Sequence, residues 1–289
     1  MLNVIISSPQ LIKKAIGLTA SEFEYLSLRI IKLDKDRIAE NPNRKRSPGG
    51  GRKSKLADKQ KLFLFLFWYK YHFPLWILSL MALVDESNVS RWINKYRPLL
   101  EEAADPELKD RIKNLPENAK LAIDATEQQI QRPSRKQKCY YSGKKHKHTI
   151  GTQIVSDLEG KLILHVSASH PGKVHDYKIF KQSKLGKSLE SASDIYLDSG
   201  YQGIQRDFPN LNAHIPHKKS KNKKLTKRER KENRELSSQR ISIEHRFAEI
   251  KKYRVLSETY RIPRRNYNQD FRNVVSLVNF RKLHLELAS

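Results

Sequence analysis

The chain has 289 residues, enough for one large domain or two smaller ones, and its 38% hydrophobic content allows a packed core. Lysine and arginine total 57 against 31 acids, a net charge of +26 spread through nearly every segment, so a polyanion such as nucleic acid is the first partner class. The single cysteine, Cys139, excludes an intramolecular disulfide and a thiolate zinc site, and fits a reducing intracellular compartment.

In chain order, residues 1–40 read as an N-terminal helical segment, with Thr19 and Glu22 in a capping-box pattern before Phe23, Leu26, Ile30 and Leu33. No basic region followed by an apolar run and a cleavage site opens the chain, so no signal peptide is expected. Residues 41–56 combine proline, glycines and cations, the composition of a flexible basic linker. The most apolar stretch, Leu62 to Val84, is broken by Lys70, His72 and Pro74, so nothing reaches the ~18 residues of a membrane span, and no membrane partner is expected.

Residues 57–102 read as three helices, with Pro74 starting the second and Ser87 capping the third. A short apolar helix, a tight turn and a helix opening with small polar and basic residues form a helix-turn-helix pattern, assigned to a domain over 57–115. Asn88, Ser90, Arg91 and Asn94 would then face DNA, while Leu80, Val84, Val89 and Ile93 pack the core, as do Trp68, Trp76 and Trp92. An ordinary helical hairpin has the same pattern. A charged helix is expected over 99–115.

From residue 116 the periodicity changes. LAID (121–124), residues 148–156, residues 161–168, DIYLD (194–198) and AHIP (213–216) read as strands, with a turn at Asp157–Gly160. Helices are expected over His175–Leu185, 237–252 and 267–285. This order of elements is that of an α/β ribonuclease-H-like domain, a mixed five-stranded sheet with flanking helices, here preceded by the all-α domain. The catalytic domain is thereby assigned to 116–289, with a basic insertion at 217–234. In such sheets ligands sit beyond the carboxyl ends of the strands.

Asp124 and Asp198 each close an apolar strand and precede a small residue, so neighbouring strands would bring both carboxylates to one sheet edge. Two such carboxylates repel unless a cation lies between them, which points to a hard metal ion. Glu244 is the candidate third acid. Arg240, Glu244 and Lys251 share one helix face, beside the apolar face of Ile243, Phe247 and Ile250. Asp176 opens a helix, either as an ordinary first-turn acid or as a supporting ligand. His170 and His175 lack ligand spacing and read as solvated or DNA-facing. Asp194 reads as structural, and Gly200 and Gly203 as a turn that lets backbone approach a phosphate. Lys218 and Lys219 head a basic run suited to DNA phosphates. Tyr140, Tyr141, Lys144, Lys145 and Lys147 form an aromatic and basic cluster on a loop, where unpaired bases could stack.

The blocks LAIDAT, IYLDSGYQG and RISIEHRFAEIKKYRVL resemble the bacterial insertion-sequence transposases with a DDE triad. Arg240, Glu244 and Lys251 match the Y-x2-R-x3-E-x6-K signature of one branch, with Ser237 in place of its tyrosine. PGKVHDYKIF, LTKRERKENRELSSQR and the N-terminal helix-turn-helix extend the resemblance over roughly residues 55–285. It implies Asp124, Asp198 and Glu244 as ligands of two Mg²⁺ ions, with Mn²⁺ as a substitute, that cut DNA with water and join it through a 3′-hydroxyl. It also implies double-stranded DNA partners, namely element terminal inverted repeats and target DNA, and a homodimer or higher oligomer on DNA. The location would be cytoplasmic, at the nucleoid when DNA is bound. A transposase-derived binding protein without catalysis, and a purely hydrolytic endonuclease of the same fold, are the alternatives.

Overall fold

The computed structural model describes residues 2–42, 54–116, 118–159, 161–190, 192, 194–219 and 224–286. Most of the basic linker, the middle of the 217–234 run and Gly160 of the 157–160 turn lie outside the described residues. The chain forms two compact units, Met1–Pro106 with Lys252–Val255 and Gln269–Ser289, and Glu107–Lys251 with Leu256–Asn268.

The first unit is helical: α1 (Leu2–Ser7), α2 (Pro9–Ile16), α3 (Ala20–Ala39), α4 (Asp58–Tyr71), α5 (Leu75–Ala82) and α6 (Glu86–Ala104). Gly17 ends α2 in the left-handed conformation that glycine adopts without strain (φ 79°). Thr19 and Glu22 make both bonds of the capping box that starts α3. Asp85, rather than Ser87, caps α6, its carboxylate accepting from the Ser87 amide at 2.8 Å. The separate helix expected over 99–115 is absent: α6 runs through Pro98 to Ala104, and two 3₁₀ turns follow, Pro106–Lys109 and Arg111–Lys113.

Val89, Ile93 and Trp68 are buried as expected, but Leu80 and Trp76 are 66% and 55% exposed, and Val84 and Trp92 are half-buried. The reason is helical geometry. The eight-residue α5 buries Leu78 and Ala82, four apart on one face. Leu80 and Trp76 lie two positions from Leu78, roughly 200° round the helix at ~3.6 residues per turn, so they point outward.

The second unit holds β1 (Lys120–Gln129), α7 (Gln137–Tyr140), β2 (Tyr141–Ser142), β3 (Lys147–Asp157), β4 (Ile163–Val166), β5 (His170–Pro171), α8 (Asp176–Ser183), β6 (Asp194–Leu197), α9 (Ile204–Asp207), β7 (Ala213–His214) and α10 (Lys227–Lys251). The final helix, α11 (Tyr267–Glu286), lies mainly in the first unit. The sheet is mixed. β3 runs antiparallel to β1 on one side and to β4 on the other, β1 runs parallel to β6, and β6 parallel to β7. β2 and β5 both pair with the first half of β3, which makes seven strands among the described residues in place of the five expected.

β1 is longer than the LAID block that announces it. Asp124 therefore does not end the strand; it sits in its middle, and β1 continues against β3 to Gln129. The parallel pairing with β6 stops earlier, at Ile123 opposite Leu197. Asp124 and Asp198 are each the next residue, so both stand where the parallel ladder opens. Successive strand residues face opposite sides. Leu121, Ile123, Ile195 and Leu197 enter a core with Phe180 and Tyr201, and Ala122, Asp124, Tyr196 and Asp198 have the opposite parity. α10 packs on β1 and β6 through buried Ile243, Phe247 and Ile250.

Candidate active site

Asp124 and Asp198 are linked by one cation. Arg240, in the middle of α10, brings its guanidinium to 3.3 Å from an Asp124 carboxylate oxygen and 3.7 Å from one of Asp198. The guanidinium is largely buried, and its Nε has no partner. Asp124 also accepts its neighbour Ala125 amide at 2.8 Å. Asp198 caps the 3₁₀ turn Ser199–Tyr201, accepting from the Ser199 amide.

Burial dominates the electrostatics. Desolvation pushes the Asp124 carboxyl up to about 6; the Ala125 amide and Arg240 oppose this, and the charges of Asp198 and Asp176 add to it. Asp176, the first residue of α8, is raised for the same leading reason, and Asp198 and Glu127 contribute while His175 and Lys144 oppose. Three aspartates thus share one field, and a buried carboxylate with like charges beside it favours a bound cation. Arg240 already stands as a cation between two of them. This donor set of hard oxygens suits Mg²⁺ or Mn²⁺ better than a soft ion.

Glu244 stands one turn after Arg240 on α10 and is exposed. Among the described residues, no three His, Cys, Asp or Glu side chains gather closely enough to hold a metal ion. Lys251 ends α10. Packing around its ammonium pulls its pKa down, with Lys145 adding to this and Asp124 opposing it.

The other expected positions are distributed as follows. Asn88, Ser90, Arg91 and Asn94 line the first two turns of α6. Arg91 and Asn94 are exposed, Arg91 donates to Asn88 at 3.0 Å, and Arg97 donates to Asn94 at 2.6 Å. Lys218 and Lys219 are exposed ahead of α10. His175 caps α8, its Nδ1 accepting from the Tyr177 amide, and His170 is half-buried in β5. Gly203 is left-handed (φ 94°) and precedes α9, while Gly200 lies in the 3₁₀ turn after Asp198. In the Tyr140 cluster, Arg264 stacks over the Tyr140 ring, 4.4 Å from its centroid.

Two residues behind the acids stand outside the expected site: Tyr201, within the IYLDSGYQG block, and Gln153. Tyr201 is fully buried, and burial with the charges of Asp176, Asp124 and Asp198 holds its hydroxyl far above the usual tyrosine range. Gln153, paired across the sheet with Ala125, donates to that hydroxyl at 2.6 Å. No sequence signal singles out Gln153, which stands among the other polar residues of β3.

The family model described as DDE superfamily endonuclease matches residues 123–279, a span that contains Asp124, Asp198 and Glu244. A probable transposase for the insertion sequence element IS702, from Microchaete diplosiphon, is 30% identical over 276 residues, 93% of this chain and 97% of that one. Among solved structures, the cryo-EM structure of a piggyBac transposase synaptic complex with hairpin DNA is similar over 95% of this chain and 75% of that chain. Its identity is 11% and its TM-score 0.47.

Proposed function

Because the chain belongs to the DDE superfamily endonucleases and is similar along nearly its whole length to an insertion-sequence transposase, we propose that it binds the ends of a DNA element and catalyses metal-dependent strand cleavage and strand transfer. The observation that carries this reading is the pair Asp124 and Asp198, at the open end of the β1–β6 parallel ladder, with a guanidinium between them.

We assign the sheet to the ribonuclease-H-like class, supported by the strand order β4-β3-β1-β6-β7 with β3 alone reversed. Asp124, Asp198 and Glu244 are the proposed ligands, with Asp176 in support. Two Mg²⁺ ions held there would supply an activated water or 3′-hydroxyl and neutralise the leaving oxygen. The protein's own share is placement and charge. Rigid β1 and β6 hold two carboxylates, and α10 presents Glu244 one turn beyond Arg240. With ions at the carboxylates, Arg240 would be free to meet a DNA phosphate, for which its planar fork is suited. Lys251 supplies a second phosphate contact, and Lys218 and Lys219 a third and fourth. The α5–α6 hairpin docks on double-stranded DNA through Asn88, Ser90, Arg91 and Asn94. Assembly of two or more copies on paired ends belongs to the same proposal.

The test is single replacement of Asp124, Asp198 and Glu244 by alanine, assayed with Mg²⁺ on DNA carrying the element's terminal repeats. Nicking and joining are expected to fall below detection in each variant while DNA binding persists. Cleavage retained by all three would overturn the assignment, and cut products without joined ones would restrict it to hydrolysis.

A further inference from the structure

A groove of about 1090 Å³ is lined by residues of β6, β7, α9 and α10, at or just above the roughly 300–1,000 Å³ usual for ligand sites. One side carries two parallel rings. Tyr196 of β6 and His214 of β7 stack with centroids 5.0 Å apart and planes inclined by 23°. An Asp194 carboxylate 2.6 Å from His214 Nε2 anchors that ring. Leu236 and Gln239 of α10 also line the groove, and Arg206 and Lys218 stand at it as cations.

Its chemistry is that of a nucleotide seat. Paired aromatic rings offer a platform on which any base can stack, and each stacked base contributes about 1–3 kcal/mol in proteins that hold single strands. Gln202 donates to the Pro216 carbonyl at 3.2 Å and Gln205 to that of Ala213 at 3.0 Å, which fixes the β7 segment. The two acids of the groove are engaged by cations: Glu232 lies against Arg228 and His217, and Glu235 is 4.0 Å from Lys231. Arg206 and Lys218 are exposed, Arg206 with its Nε 3.3 Å from Asp207 and its remaining guanidinium donors open to a phosphate.

Position commits the groove to one occupant. Tyr196 is two residues before Asp198 along the chain and Gln239 immediately precedes Arg240, so two of the elements that wall the groove, β6 and α10, also carry residues of the proposed site. We propose that it takes one unpaired nucleotide of the DNA strand that leads to Asp198, with the base extending the Tyr196–His214 stack and its phosphate at Arg206 or Lys218. This inference rests on the proposed DNA-processing role for the placement of the strand, but the binding itself needs no metal.

The experiment uses the full chain in EDTA. Fluorescence anisotropy measures its affinity for a fluorescein-labelled thymidine octamer and for a labelled blunt duplex. Leu236→Trp fills the groove from a half-buried helix position, and His214→Ala removes one ring of the platform. Both are expected to weaken octamer binding at least fivefold and to leave duplex binding within twofold. Circular dichroism verifies folding of each variant, and either folded variant suffices. Equal weakening of both probes, no change for either, or no octamer binding by the parent chain would overturn the proposal. Metal-dependent cleavage by the parent chain is scored separately, so a cleavage-negative chain that still shows the octamer effect removes the catalytic reading and leaves the groove.

Discussion

At the scale of single residues, the site holds a carboxylate where burial disfavours its charge. Asp124 in the folded chain has a pKa of about 6, against an ordinary 3.8. A raised carboxyl pKa is harmless below pH ~4, where the group is protonated in both states. It destabilises the fold increasingly as pH climbs from 4 to 6, because only the unfolded chain ionises freely. The shift of about two units corresponds to roughly 3 kcal/mol. Asp124→Asn should therefore make the metal-free protein more stable at pH 7 by up to that amount, with the gain vanishing at pH 4, as read from urea unfolding in EDTA at both values. A variant less stable than its parent at pH 7 would show that the Arg240 contact outweighs desolvation. Mg²⁺ should stabilise the parent more than the variant, since binding to the folded state adds to stability by mass action.

At the scale of elements, α11 is tied to α4 and α6 by a buried polar network. Asp270 is fully buried and accepts from Arg97 Nε at 2.7 Å and from the Tyr69 hydroxyl at 2.6 Å. Asn273, one turn on, donates to Tyr69 and to the Arg97 carbonyl, each at 2.8 Å. Removing one member of such a pair leaves an uncompensated buried charge, at about 3–5 kcal/mol. Asp270→Ala should lose that much, seen as a lower urea midpoint. A loss below ~1 kcal/mol would mean that the network relaxes to water. The Thr19–Glu22 capping box, the Pro74 start and the apolar stripe of α10 each appear where pattern and capping chemistry place them, but α10 begins at Lys227, inside the basic run and ten residues before the expected 237. The miss at α6 is also instructive. A separate charged helix was expected over 99–115, yet Leu99, Leu100, Ala103 and Ala104 are buried and carry α6 onward to Ala104.

At the scale of the whole molecule, the charge of +26 predicts how DNA binding responds to salt. Each phosphate neutralised contributes about −0.9 to the slope of log affinity against log salt. Arg240, Lys251, Lys218, Lys219, Arg91 and Lys144 or their equivalents would give a slope of about −5 or steeper for duplex DNA in filter-binding titrations. A slope near zero would mean that the positive surface is not the binding surface. Among the described residues no helix is long and apolar enough to cross a membrane. Composition, periodicity and short blocks were enough to order the main strands and helices and to recognise the family. These depend on neighbours a few positions away, where helix and strand periods determine which face is apolar. Only the tertiary structure decided that Arg240 lies between Asp124 and Asp198, that Asp124 is desolvated in mid-strand, that Leu80 and Trp76 face outward, and that Tyr196 and His214 form one platform. Arg240 and Asp124 are 116 positions apart. Contact at that separation follows from strand pairing and helix docking over the entire chain, which no local pattern encodes.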